Sequence, residues 1–152
     1  MNKVLTYIKS ILVPLLIGAL VGFLTSNYID YNNLIQPSFA PPAILFPIVW
    51  TILYTLMGVS YGILKSNFLT DDKINTIYSS QLFVNALWSF FFFAFELRLF
   101  AFFWILLLIA LVILMIIEFY KKNKVAGFLQ IPYLLWISFA SVLNLAVYLL
   151  NS

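Results

Sequence analysis

Trp50 stands with Phe46, Tyr54 and Met57 at spacings of four, four and three, so all four share one helical face. Gln81, Asn85, Trp88 and Ser89 mark a second face. Trp136, Ala140, Leu143 and Val147 mark a third, with Asn144 close by. Such residues can stack on a flat ligand or hydrogen-bond one polar group. They can equally serve tight helix packing, and spacing alone favours packing for the aromatics. For Asn85, an amide that is costly in hydrocarbon unless paired, interhelical hydrogen bonding is the simpler role and a ligand contact the sharper one. Ala140 lies one turn from Trp136 and leaves space beside the indole, to be filled by another helix or by a ligand.

Other chemistries have no visible machinery. The chain has no His and no Cys, which removes thiolate chemistry, disulfides, zinc sites and the usual haem ligand. Every Asp and Glu sits at or beyond the end of an apolar run. No acid or base lies mid-run, which argues against a proton-relay pump or an ion-coupled transporter. There is no Ser-His-Asp set, no phosphate loop and no metal-ligand cluster.

The elements that must position these residues follow from the charges. Eight Lys and Arg plus five Asp and Glu make thirteen charges. Between them lie charge-free runs at 10–29, 31–64, 74–95, 99–117 and 125–152. About 20 apolar residues in a helix cross a bilayer. In hydrocarbon every backbone polar group must be paired internally, so each run reads as a helix. The expected fold is an all-α integral membrane protein, a five-transmembrane-helix bundle forming a single domain over 1–152. Its spans fall near 10–28, 42–64, 75–95, 99–119 and 126–150, with an outside loop at 29–41. The second run has 34 residues, which would reach about 51 Å as one helix, so its first part must be loop. Pro37, Pro41 and Pro42 place the helix start near Pro41 or Pro42, and Pro47 should then kink its early part. The apolar loop carrying Leu34, Ile35 and Phe39 reads as a lid over the bundle rather than a solvated linker.

Charge distribution sets the expected topology. Lys3, Lys9, Lys65, Lys73, Lys121, Lys122 and Lys124 fall on one side, and Arg98 alone on the other. This bias places the N-terminus in the cytoplasm and the C-terminus outside. The net charge of +3 thus reads as a topology signal, and no nucleic-acid partner is expected. The first run could imitate a signal peptide, but no A-x-A-type cleavage site follows it, so a retained helix is expected. Gly18/Gly22 and Gly58/Gly62 are GxxxG pairs, and packing within the bundle is preferred for them over dimerisation.

Three segments go beyond periodicity. Pro37-Ser38-Phe39-Ala40-Pro41-Pro42 precedes Phe46-Pro47-Ile48-Val49-Trp50-Thr51-Ile52-Leu53-Tyr54 and Met57-Gly58. Asn85-Ala86-Leu87-Trp88-Ser89 leads into four phenylalanines. Pro132-Tyr133-Leu134-Leu135-Trp136 precedes Phe139-Ala140 and Leu143-Asn144. Together, and in this order along nearly the whole chain, they resemble the TspO/MBR family, the tryptophan-rich sensory proteins related to the mitochondrial translocator protein and peripheral benzodiazepine receptor.

The resemblance implies a bundle in a membrane, here a bacterial cell membrane, often as a homodimer. It implies a cavity beneath the first outside loop that takes protoporphyrin IX or a related tetrapyrrole without covalent attachment. The implied ligand-binding residues are Phe39, Phe46, Val49, Trp50, Tyr54, Asn85, Trp88, Trp136, Ala140 and Leu143. It further implies a sensory, regulatory or transport role. An alternative is light-dependent porphyrin degradation using Trp50 and Trp136, and a further one is a non-catalytic scaffold. Two departures stand out. Phe39 occupies a position where the family often has Trp. The family's sterol-binding pattern is missing from the end of the last helix, where Tyr148 is followed only by Leu149, Leu150, Asn151 and Ser152, which puts sterol binding in doubt.

Overall fold

The computed structural model describes residues 2–28 and 33–152. Helix α1 (Lys3–Thr25) ends in a 3-10 turn, Ser26–Tyr28. Helix α2 spans Leu45–Ser66, and α3 (Asp72–Ser89) runs on through a π turn, Phe90–Ala94. Helix α4 (Arg98–Lys122) is followed by a short α5 (Lys124–Phe128) and by α6 (Ile131–Leu150). Five units, 3–28, 45–66, 72–94, 98–122 and 124–150, are long and apolar enough to cross a membrane. Among the described residues there is no strand. Of the loop expected at 29–41, residues 29–32 lie outside the described residues.

Local chemistry explains where each helix begins. Asn2 caps α1, its Oδ1 accepting from Leu5 N at 3.3 Å, so the helix starts ahead of the expected residue 10. Helix α2 starts at Leu45 rather than at Pro41 or Pro42. Two separate turns intervene, Ala40 N donating to Pro37 O at 3.1 Å and Leu45 N to Pro42 O at 3.0 Å. Pro47 consequently falls in the first helical turn, where no intrahelical N–H bond exists to be lost, and the reason for a kink disappears. The last span is broken: Leu129 and Gln130 separate α5 from α6. Asn123 caps α5, its Oδ1 accepting from Ala126 N at 3.1 Å. Ser60 Oγ donates to Ala126 O at 2.6 Å and ties the break to α2.

Helix α1 contains Pro14 in its interior. Proline has no N–H to offer the carbonyl four residues back, which belongs to Ser10. That carbonyl lies against Gly58, where an added Cβ would sit 2.6 Å from it. Gly58 thus lets the two backbones touch, the close approach expected of small residues between membrane helices. Helix α1 lies along α2, whereas α4 packs between α3 and α6. The core is built from Met57, Leu64, Ile74, Val112, Met115, Phe119 and Ile137, all essentially inaccessible. Phe23, Phe83, Phe103 and Leu135 point outward, as side chains meeting lipid do.

One end of the bundle is basic. There Lys73 and Lys121 each reach Glu118 at 3.2 Å, and Lys122 reaches Asp71 at 2.9 Å, joining the start of α3 to the end of α4. Asp71 also caps α3, accepting from Ile74 N at 2.8 Å. That backbone donor first, and Lys122 second, hold its carboxyl below the ordinary range.

Candidate functional site: an aromatic cavity at the lid end of the bundle

At the other end, α1, α2, α3 with its π turn, and α6 surround a cavity of about 730 Å³. Helix α2 contributes Phe46, Trp50 and Tyr54, the four-residue spacing placing one ring per turn on the cavity wall. Asn85, Trp88 and Ser89 enter from α3, and Trp136, Ala140, Leu143, Asn144 and Val147 from α6. The π turn adds Phe92 and Phe93. Phe95 N bonds Phe90 O at 2.9 Å, an i to i+5 bond that shifts the helical register by one residue, a local device often found at functional sites.

The rings are held by one another. Trp50 stacks on Tyr54 at 5.4 Å and meets Tyr133 edge-on at 6.2 Å. Phe46 meets Trp136 edge-on at 5.8 Å, and Trp88 stacks on Phe92 at 5.1 Å. Such contacts fix ring planes, which a flat ligand can use as preformed walls.

Polar groups in the wall are mostly committed to the protein. Tyr54 Oη donates to Asn85 Oδ1 at 2.8 Å, Asn85 Nδ2 donates to Tyr133 Oη at 2.6 Å, and Tyr133 Oη donates to Gln81 Oε1 at 2.8 Å. Gln81 Nε2 ends the chain on Met57 Sδ at 3.4 Å. Trp88 Nε1 donates to Asn144 Oδ1 at 3.0 Å, and Asn144 Nδ2 to Arg98 O at 2.9 Å. The Trp136 indole N–H is buried without a partner. Among the described residues, no Lys, Arg, Asp or Glu lines the cavity. The Arg98 guanidinium lies 5.7 Å over Phe92, on a ring that itself forms part of the wall.

Of the residues singled out in the sequence, the structure brings Phe46, Trp50, Tyr54, Asn85, Trp88, Trp136, Ala140 and Leu143 to this one cavity. Phe39 and Val49 stand apart from it. Val49 precedes Trp50 by about 100° of helix rotation and packs into the core. Phe39 meets Phe139 edge-on at 6.2 Å, so the lid rests on α6 through it. Asn151 holds the same loop, its Oδ1 accepting from Ile35 N at 3.0 Å and its Nδ2 donating to Ile35 O at 2.8 Å. Sequence reasoning missed Tyr133, the hub of the polar chain, although it lies three residues before Trp136 on the same face. It also missed Thr25, Phe92 and Phe93, and it treated Gly22 only as half of a packing pair.

Fold and cavity together define a five-span helical membrane protein with an aromatic chamber among its helices. Residues 10–150 match the TspO/MBR family, and the chain belongs to it. It is 40% identical to the tryptophan-rich protein TspO of Archaeoglobus fulgidus, over 99% of each chain. It is 31% identical to the tryptophan-rich sensory protein of Cereibacter sphaeroides, covering 80% of this chain and 76% of that one. It is 30% identical to the translocator protein of Sus scrofa, covering 88% and 85%.

Proposed function

We propose that the chain binds a flat hydrophobic molecule of the tetrapyrrole type in this cavity, in a sensory, regulatory or transport role. The observation that carries the reading is the chamber itself: about 730 Å³, walled by Trp50, Trp88 and Trp136, with no charged side chain lining it among the described residues. Lacking His and Cys, the protein would hold a macrocycle by stacking and shape rather than by a strong axial ligand. The test is a fluorescence-quenching titration of the purified protein with protoporphyrin IX in the dark. Saturable binding supports the reading, and its absence favours a scaffold whose cavity is incidental.

A second reading is light-dependent breakdown of the bound macrocycle with dioxygen as oxidant. It is favoured by Trp50 and Trp136 facing the same space. An indole is readily oxidised and a phenyl ring is not. Illuminated Trp136→Phe protein should then lose less porphyrin than wild type, whereas Asn85→Ala should keep more of the activity. Unchanged porphyrin loss in Trp136→Phe would remove the tryptophan-based enzyme.

A further inference from the structure

Gly18 and Gly22 lie one turn apart on α1 and read as a packing pair, yet their surroundings differ. A Cβ on Gly18 would sit 2.7 Å from Tyr54 Cδ2, so that glycine is filled by its neighbour helix. A Cβ on Gly22 would meet nothing within 4 Å. Two more glycines explain the change. Tyr7 fills the space over Gly62, and the backbone of Ser10 and Ile11 fills that over Gly58. The close contact of α1 with α2 therefore runs from Tyr7 through Ser10 to Gly18 and ends there. Gly18 lies at the edge of the cavity, under Tyr54, and one turn further Ala19, Gly22 and Thr25 continue the α1 wall with nothing over Gly22.

We propose that Gly22 is a specificity-determining residue that sets the size limit of the cavity. Both glycines border the cavity, but Tyr54 covers Gly18, whereas at Gly22 the α1 backbone itself is the surface. Glycine is a poor helix former, and here no packing contact offsets that weakness. A side chain would project into space that a wide planar ligand needs and a narrow one does not. The same wall holds Trp88, Phe92 and Trp136, rings whose planes are fixed by their neighbours, so it offers little compensating retreat. The inference rests on the ligand-binding reading above and adds which ligands are refused.

The test uses the full chain in detergent micelles and two variants, Gly22→Leu and Gly18→Leu. Neutral planar probes of rising width (naphthalene, pyrene, coronene) are titrated alongside protoporphyrin IX in the dark. Without ligand, Gly22→Leu should melt with wild type, while Gly18→Leu should melt well below it through its clash with Tyr54. With ligand, Gly22→Leu should weaken the widest probe that wild type accepts, and protoporphyrin IX, by about tenfold or more, and leave the narrower probes unchanged. A low melt for Gly22→Leu would overturn the proposal by showing that Gly22 packs a helix. Unchanged affinity for every probe would overturn it by showing that Gly22 faces lipid, and equal weakening of all probes would show a block rather than a size limit. Wild type that binds none of the probes would overturn it too. If wild type refuses protoporphyrin IX while the width limit still shifts in Gly22→Leu, the tetrapyrrole reading fails and the role of Gly22 stands.

Discussion

The Tyr54 hydroxyl donates to Asn85 Oδ1 at 2.8 Å, and this commits an amide of the cavity wall to the protein itself. Its other end is equally engaged, Nδ2 donating to Tyr133 at 2.6 Å. Asn85 thereby fixes the plane of Tyr54, on which Trp50 stacks. Its geometry is that of a residue positioning the wall.

Asn85→Ala should accordingly cost stability before it costs affinity. The Tyr54 hydroxyl loses its acceptor, and an unpaired buried polar group costs about 1–3 kcal/mol. The check is the melting midpoint of the empty protein set beside the dissociation constant of the folded fraction for protoporphyrin IX. A wild-type melt with strongly weakened binding would mean that the amide contacts the ligand directly.

Trp50→Leu and Trp136→Leu should each weaken protoporphyrin IX binding, and Trp104→Leu should not. Stacking of a flat ring on an aromatic side chain is worth about 1–3 kcal/mol in nucleic-acid systems, which sets the scale. Trp104 lies away from the cavity, its Nε1 donating to Val84 O at 2.8 Å and its ring edge-on to Phe91 at 5.0 Å. Losing it should lower the melt while leaving affinity in the folded fraction intact. Equal affinity losses in all three variants would point to general loosening of the bundle.

The basic end of the bundle should face the cytoplasm. Seven lysines lie toward that end and Arg98 toward the other, the asymmetry that orients membrane helices. A reporter active only outside the cytoplasm should work when fused after Ser152 and stay silent within the 121–124 segment. The reverse pattern would invert the topology.

Charge-free runs made the five spans legible, because a bilayer permits little else for such sequence. The wall of α2 was legible too: Phe46, Trp50 and Tyr54 follow helical spacing, and all three line the cavity. Residues beside them were harder. Met57 continues the same spacing but lies deeper, where its sulfur accepts from Gln81 in the core. Phe92 continues the face of Asn85 and Trp88 at helical spacing and could have been read from it, whereas Phe93 lies one residue off that face within the π turn, which four consecutive phenylalanines do not mark. Gly22 looks identical to Gly18 in sequence, and only the divergence of α1 from α2 separates their roles. The break at Leu129 and Gln130 left a mark that charge counting passes over, Pro132 in the first turn of α6. Gln130 is fully buried with both side-chain polar atoms unpaired, and nothing in the structure explains it.

The most direct measurement compares protoporphyrin IX binding in the dark by wild type and Ala140→Leu, with the melt of each empty protein alongside. Ala140 lines the cavity one turn past Trp136, and its methyl group leaves the space beside the indole open. Leucine there should occupy ligand space with little harm to the empty fold, and the stabilisation conferred by ligand should shrink with the affinity. The expected result is weaker binding with a nearly unchanged empty melt. A melt lowered in line with an overpacking cost of about 1–3 kcal/mol, with affinity kept in the folded fraction, would contradict it, because Ala140 would then be a helix contact and the chamber no ligand site.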